Sequence, residues 1–532
     1  MNDNELILAN LIRRRAAAEP DLDVLTFVDV AKDGGLNEEI RTYRALWQNG
    51  QRIAAALQAF GMKAGDTFAV VMDNHPEFVD LMVASSILGT IFVPIDPRTR
   101  GDKLRYMLDF AECKGAVVTD VAPGEVRTVW GKDSGRWIVP LRGAAGASAA
   151  DVTMGSILSA AVPNPPLEVA SVDPAATMQI LYTSGTTGDP KAILTSHAKF
   201  ATGGTIGTIL GLTRTDRPYT GLSLTHANAQ VITLGMALTL GMRGVISRKF
   251  TKSRLWDITR RYGCTMFNLL GGMTTAIYAE PRRSDDRNNP VRMVLSAGMP
   301  AAIWEDFARR FDVTIGEFYG AAEGGLTFNV ANAGPVGSCG KAPPNLELAT
   351  FNEAGERCAP GEAGEICFRN ADGSAPVVRY LKNPEASAKK TAGGWLHMGD
   401  IGHLDENGWL FFDFRMGGGI RRNGDFINTA FVEKALAELD AVADVYVYGV
   451  PMPGMAPGEK EVVAAIVATD PASFDAQAIF AACRTNLDAN CVPRFLQLVD
   501  EIPKTASEKP QERFLLAAFD VAAANIHCAT RA

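Results

Sequence analysis

The chain has 532 residues, 47% of them apolar, and a formal net charge of −8. That length is several times one folding unit and predicts two or more domains around a large buried core. The acidic balance lacks the basic stripe that nucleic-acid binding leaves, so no nucleic-acid partner is expected.

The eight cysteines form no Cys-x-x-Cys pair and no Cys/His cluster with zinc spacing. Such scattered single thiols suit a reducing compartment. The first residues, MNDNELILANLIRRRAAAEPD, have an acidic start and no apolar run ending in small residues, unlike a signal peptide. The longest strongly apolar stretch, residues 231–242, is well short of the ~20 residues of a membrane span. A cytoplasmic protein with no membrane span is the expectation.

In chain order, residues 43–60 carry Leu46, Ile53, Leu57 and Phe60 at helical spacing, and Gly61 and Gly65 break the pattern. Residues 67–72 (TFAVVM) form a β-rich run, 78–88 a helix and 91–94 a second strand. Alternation of this kind predicts α/β layers with a largely parallel sheet. Residues 176–182 (ATMQILY) predict a buried strand that runs directly into a loop of glycines and hydroxyl residues.

Near residues 411–419 the sequence FFDFRMGGG closes a β-type run over 409–412 with three consecutive glycines. Glycine tolerates large φ/ψ changes, so a hinge is expected there and a tight turn is the alternative. Beyond it, helical patterns at 432–439 and 474–487 and strand patterns at 443–450 and 461–467 predict an α+β domain of about 115 residues.

The loop is YTSGTTGDPKA, residues 182–192. An unbroken run of small hydroxyl residues and glycines leaves backbone N–H groups open to phosphate oxygens, and Lys191 adds a cation. The spacing is not that of a Walker A loop. Taken alone, such a loop is more often a plain connection.

Further segments stand in order with it: TYRALWQNGQRIAAAL from Thr42, GDTFAVVMDNHPEFV from Gly65, LTHANAQ from Leu224, SAGMP from Ser296, FYGAAEGG from Phe318, GWLHMGDIGHLDENGWLFF from Gly394 and PKTASEK from Pro503. This series resembles the acyl-adenylate-forming superfamily, which includes acyl-CoA synthetases, luciferases and nonribosomal adenylation domains. The resemblance runs from Thr42 to Gln511. It implies a large N-terminal domain of layered α/β subdomains, residues 1–413, holding the ATP and acyl pockets. A small mobile C-terminal α+β lid, residues 414–532, would carry the catalytic lysine. The implied reaction activates a carboxylic acid with ATP and Mg²⁺ as its adenylate, then transfers the acyl group to coenzyme A. A homodimer is compatible with it.

The resemblance also implies roles. Thr183, Ser184, Gly185, Thr186, Thr187, Gly188 and Lys191 would cradle the β- and γ-phosphates. Ala297, Gly298 and Met299 would flank the adenine, with Tyr319 stacked on its other face and Gly320, Ala321 and Ala322 lining the nucleotide. Glu323 would bind Mg²⁺; Asp400, assisted by Arg415, would bind the ribose hydroxyls. His226 would gate an acyl pocket built from Ala227, Asn228, Leu270, Gly271, Gly298 and Ala321. Lys509 would be the catalytic ammonium of adenylation, offsetting the repulsion of carboxylate and phosphate. Gly424 and Asp425 would line the coenzyme A channel, and Gly417 would be the hinge.

Three departures stand out. The family's usual threonine is Ala322, removing a hydroxyl contact to the adenylate phosphate worth roughly 1.5–3 kcal/mol. The usual aspartate or lysine hinge is Gly417. Glu508 and Pro510 flank Lys509, where glycine usually precedes the lysine. These departures leave open a catalytically weakened nucleotide- or acyl-binding relative. The alternative acceptor is a separate carrier protein. Residues 267–281 and 285–300 look most like the carnitine/crotonobetaine-CoA ligase-like branch, and EFYG at 317–320 resembles fatty-acid-transport and bile-acid ligases. A carnitine-like, medium-chain or aromatic acid is therefore expected.

Overall fold

The computed structural model describes residues 3–119, 123–131, 135–142, 152–183, 190–330, 333–415, 420–422, 425–427, 429–453, 455, 460–487, 490–505 and 510–529. The chain divides into two compact units. The first comprises Met1–Pro343 with Ser374–Gly394, and the second Pro344–Gly373 with Trp395–Ala532. The boundary expected at 413/414 therefore falls inside the second unit.

In the first unit, a six-stranded sheet runs in the order Trp137–Pro140, Gly115–Val118, Thr67–Val71, Ile91–Ile95, β1 (Thr177–Thr183) and β2 (Lys191–Ser196). All its pairings are parallel except the last, because β1 and β2 form a hairpin. Side chains alternate across this sheet as the two-residue period of a strand requires. Phe68 and Val70 join one core with the helices Tyr43–Ala59 and Pro76–Leu88, while Ala69 and Val71 pack on the helix Gly101–Phe110 in another. Thr42 caps the first of these helices by accepting from Ala45 N at 3.1 Å. The second starts with Pro76 and ends at Gly89 in the left-handed region, φ +74°.

An eight-stranded sheet completes the unit: Leu36–Arg41, Leu25–Val30, Gly244–Ser247, Pro218–Thr220, β3 (Met266–Leu270), β4 (Met293–Ala297), β5 (Thr314–Ala321) and β6 (Gly324–Asn329). It is parallel apart from its two edge strands. The helix α1 (His197–Ile209) follows β2 directly. The apolar stretch 231–242 lies in a π-helical segment, Ala229–Gly235, that runs into the helix Met236–Leu240.

The second unit holds two four-stranded sheets and the two-stranded pair Ile420–Arg422 and Asp425–Ile427. One sheet orders Leu346–Phe351, β7 (Gly364–Asn370), β8 (Leu396–Leu404) and β9 (Leu410–Arg415), all antiparallel. The β run expected over 409–412 continues to Arg415, because pairing with β8 extends to Asp400 opposite Arg415. The other sheet contains Val442–Val450 and Glu461–Ala468. The helices Thr429–Ala437 and Ala476–Asn486 cover one of its faces through Val432, Leu436, Ile479 and Phe480. All eight cysteines are free. Among the described residues no helix is long and apolar enough to cross a membrane.

Candidate active site

The β1–β2 hairpin sets Thr183 opposite Lys191, on either side of the glycine-rich loop. Ser184, Gly185, Thr186, Thr187 and Gly188 lie outside the described residues. At the base, Thr183 Oγ1 donates to the Lys191 carbonyl at 3.4 Å. Residues 379–381 lie along β2: Leu194 N donates to Arg379 O at 2.9 Å and Leu381 N to Ala192 O at 2.8 Å. That seats Tyr380 beside the loop, with Lys191 Nζ 5.4 Å from its ring centroid.

The strands β5 and β6 meet in a tight hairpin in which Ala321 pairs with Gly324, so Ala322 and Glu323 form the turn. The Tyr380 hydroxyl donates to Glu323 Oε1 at 2.8 Å, tying that turn to the segment beside Lys191. A second cation reaches it from α1. The Lys199 ammonium donates to the Ala322 carbonyl. Burial pushes the Lys199 amine down to about 8, and the nearby charge of Glu323 acts in the opposite direction. Sequence reading singled out neither Lys199 nor Tyr380. A lysine within HAKFATGGTIGTI, an otherwise uncharged apolar and small-residue helix, was the available signal. Tyr380 offered none.

The turn expected to flank the nucleotide follows β4. Ala297 ends that strand opposite Leu270, the last residue of β3, and Gly271 and Gly298 continue from the two ends. A Cβ on Gly271 would stand 2.4 Å from the Gly298 carbonyl oxygen, and Gly298 itself has φ +102°. Behind the turn sits Glu317 on β5, opposite Ser296. Its carboxyl accepts from Gly298 N and, at 3.0 Å, from Met299 N. Only 3% of Glu317 is exposed. Burial raises its pKa to about 8 against those backbone hydrogen bonds. Glu317 was read only as part of a resemblance; a carboxylate inside the apolar strand TIGEFYGA was the sign of a structural task. Tyr319 is half-buried, while Gly320 and Ala321 are exposed.

One polar chain ties an acyl-pocket candidate, Asn228, to the strand that carries another, Leu270. Asn268, on β3, donates to Asn228 Oδ1, and its own Oδ1 accepts from Thr233 Oγ1 at 2.6 Å. This anchors Asn228 and the π-helical segment to the strand that ends in Leu270 and Gly271. His226 and Ala227 immediately precede Asn228 and are half-buried. The His226 carbonyl accepts from Gln230 N at 3.3 Å.

In the second unit, Arg415 Nε lies 3.6 Å from Asp400 Oδ1 across the β8–β9 pair, an ion pair too long for a hydrogen bond. Glu365 on β7 accepts from Gly399 N at 3.1 Å and contacts His397 Nδ1 at 2.8 Å. Cys367 Sγ lies 3.5 Å from the same nitrogen. These contacts pin the first half of β8, up to the residue before Asp400. The segment bearing Lys509 is closed at its base: Lys504 bridges Pro510, and Gln511 N donates to Pro503 O at 2.7 Å. Lys509, Gly417 and Gly424 lie outside the described residues; Asp425 opens the strand paired with Ile420–Arg422.

Residues 12–375 match the AMP-binding enzyme family, and residues 432–509 match the AMP-binding enzyme C-terminal domain. The chain belongs to the AMP-binding enzyme family. Within it, a medium/long-chain-fatty-acid–CoA ligase of Mycobacterium marinum is 31% identical over 481 residues, covering 88% of this chain and 90% of that protein. A steroid-22-oyl-CoA synthetase of Rhodococcus jostii is 29% identical over 468 residues, covering 84% and 81%. The fold of this AMP-binding enzyme is that of a crystal structure of an anthranilate CoA ligase, with a TM-score of 0.82 at 22% identity and 96% of each chain covered.

Proposed function

We propose that this enzyme is an ATP-dependent carboxylic acid–CoA ligase, releasing AMP and pyrophosphate, whose acid carries an uncharged apolar body. The reaction class is that of its family and of the CoA ligases it resembles. The observation that carries the site assignment is the joining of the Glu323 turn, through Tyr380, to the segment beside Lys191.

In the first half-reaction a carboxylate oxygen attacks the α-phosphorus of ATP and pyrophosphate leaves. Lys191, at the mouth of the glycine-rich loop, holds the departing phosphates. The turn held by Glu317 receives the adenine, while Asp400 takes the ribose hydroxyls. A single carboxylate at a turn, with one oxygen engaged by a tyrosine, suits Mg²⁺, which takes one or two carboxylates and fills its shell with phosphate oxygens and water. When bound, Mg²⁺ would be held by Glu323 and would neutralise phosphate charge. Lys509 stabilises the charge that grows on the non-bridging oxygens. In the second half-reaction the coenzyme A thiol attacks the acyl carbonyl and AMP leaves.

The acid is argued from the pocket candidates. None of His226, Ala227, Asn228, Leu270, Gly271, Gly298 and Ala321 is a carboxylate or a Trp, Tyr or Phe ring of the kind that receives a quaternary ammonium. Relatives named for fatty and steroid acids agree with an apolar body. A panel of medium-chain, aromatic, steroid-type and carnitine-like acids, with acyl-CoA read by mass, tests this. Thioesters from apolar acids are expected. Turnover confined to carnitine-like acids would overturn the substrate class, and acid-dependent pyrophosphate release without any CoA thioester would overturn the acceptor.

A further inference from the structure

Lys199 has a cost that its visible contacts do not cover. Its ammonium is drawn into the protein from the first turn of α1, where Ser196 caps the helix and accepts from Lys199 N at 3.3 Å. It ends on a neutral acceptor, the carbonyl of Ala322. Among the described residues no carboxylate lies within 4 Å of it: Glu323 is near enough to act on its charge but is engaged by the Tyr380 hydroxyl. A half-buried ammonium whose hydrogen-bond partner is a neutral carbonyl is under-compensated, and the lowering of its pKa to about 8 by desolvation agrees with that.

The place where this charge sits narrows what completes it. The Ala322–Glu323 turn is the one assigned to the nucleotide's phosphates and their metal, and Ala322 has no side-chain donor to offer them. An anion arriving at that turn would meet an ammonium already fixed in place and partly desolvated. A preorganised charge of that kind stabilises an anion more than a solvated lysine would.

We infer that Lys199 is a further phosphate-binding cation, contacting the nucleotide's α-phosphate and taking over the contact that Ala322 cannot make. This rests on the nucleotide site assigned above. It gives the Ala322 departure a compensation: a neutral hydroxyl is replaced by a charge brought in from the neighbouring helix. The charge also opposes the build-up of negative charge as the acid attacks.

The test compares AMP with adenosine, which share the base and sugar and differ in the phosphate. Titration calorimetry on the full chain is run for the wild type, Lys199→Gln, and Lys199→Gln with Ala322→Thr. The glutamine keeps a donor for the Ala322 carbonyl and removes the charge. The expected result is AMP affinity reduced tenfold or more, adenosine affinity within threefold of wild type, and at least threefold recovery of AMP affinity on adding the threonine. Lys199→Met carries the same expectation should the glutamine variant fail to fold. An unchanged ratio of AMP to adenosine affinity in the variant, or a wild type that binds AMP no better than adenosine, overturns the inference. The ligase assignment fails separately. If the AMP preference falls with Lys199 but no acid supports pyrophosphate exchange, the phosphate contact stands and the ligase reading is lost.

Discussion

The Tyr380 hydroxyl donates to Glu323 Oε1 at 2.8 Å, joining two residues 57 positions apart. The donor fixes one oxygen of the carboxylate that is proposed to hold Mg²⁺. Removing it with Tyr380→Phe should raise the Mg²⁺ concentration for half-maximal activity about three- to tenfold and cost about 1 kcal/mol of stability. Activity titrated against Mg²⁺ checks this. An unchanged Mg²⁺ requirement would show that Tyr380 serves only the packing of residues 379–381.

Glu317 gives a pH-dependent signature. Its folded pKa is raised from 4.5 to about 8 by burial, so the native state holds a proton that the unfolded chain releases. Stability from this group is fully present below about pH 4.5 and is lost as pH rises through 8. Urea unfolding at pH 5, 6.5 and 8 should show wild type losing stability relative to Glu317→Gln across that range. Parallel profiles for the two proteins would mean that the carboxyl does not titrate there.

Gly271 is fixed by sterics. A Cβ at 2.4 Å from the Gly298 carbonyl oxygen cannot be accommodated without moving the turn after β4. Gly271→Ala should cost about 1–3 kcal/mol of stability. It should also weaken adenosine binding, since adenosine is proposed to contact that turn without the phosphates. Calorimetry showing full adenosine affinity in a folded variant would place the adenine elsewhere.

The layers of the fold were legible in the sequence because buried parallel strands are written as short apolar runs. Residues 67–72 became Thr67–Val71, and the apolar run 176–182 became β1. The glycine-rich loop stood out because small hydroxyl residues and glycines stand unbroken beside Lys191, and its residues 184–188 lie outside the described residues. The supports of the site were not. Lys199 reaches a carbonyl 123 positions away, and Glu317 holds backbone N–H groups of a turn on a neighbouring strand. Backbone acceptors and donors carry no side-chain identity, so no residue pattern announces such contacts. The extension of β9 to Arg415 had the same cause: its length is set by pairing with β8 and not by its own apolar run.

Lys509, assigned to adenylation in the proposal, should separate the two half-reactions. Lys509→Ala should reduce acid-dependent ATP–pyrophosphate exchange at least ~100-fold, the size of effect seen when one preorganised charge stabiliser is removed. Thioester formation from supplied acyl-AMP should stay within about threefold of wild type, because the lysine's proposed task is confined to adenylation. Equal loss of both activities would remove the assignment.

The most direct test of the ligase assignment is to follow the acyl-adenylate itself. The enzyme is incubated with ATP, Mg²⁺ and an apolar acid from the panel, quenched, and analysed by mass before and after coenzyme A is added. The expected result is enzyme-bound acyl-AMP without coenzyme A, converted to acyl-CoA with one AMP released per thioester once it is present. Acyl-CoA that forms with ADP and phosphate in place of AMP, or acyl-AMP that persists untouched by coenzyme A, would contradict it.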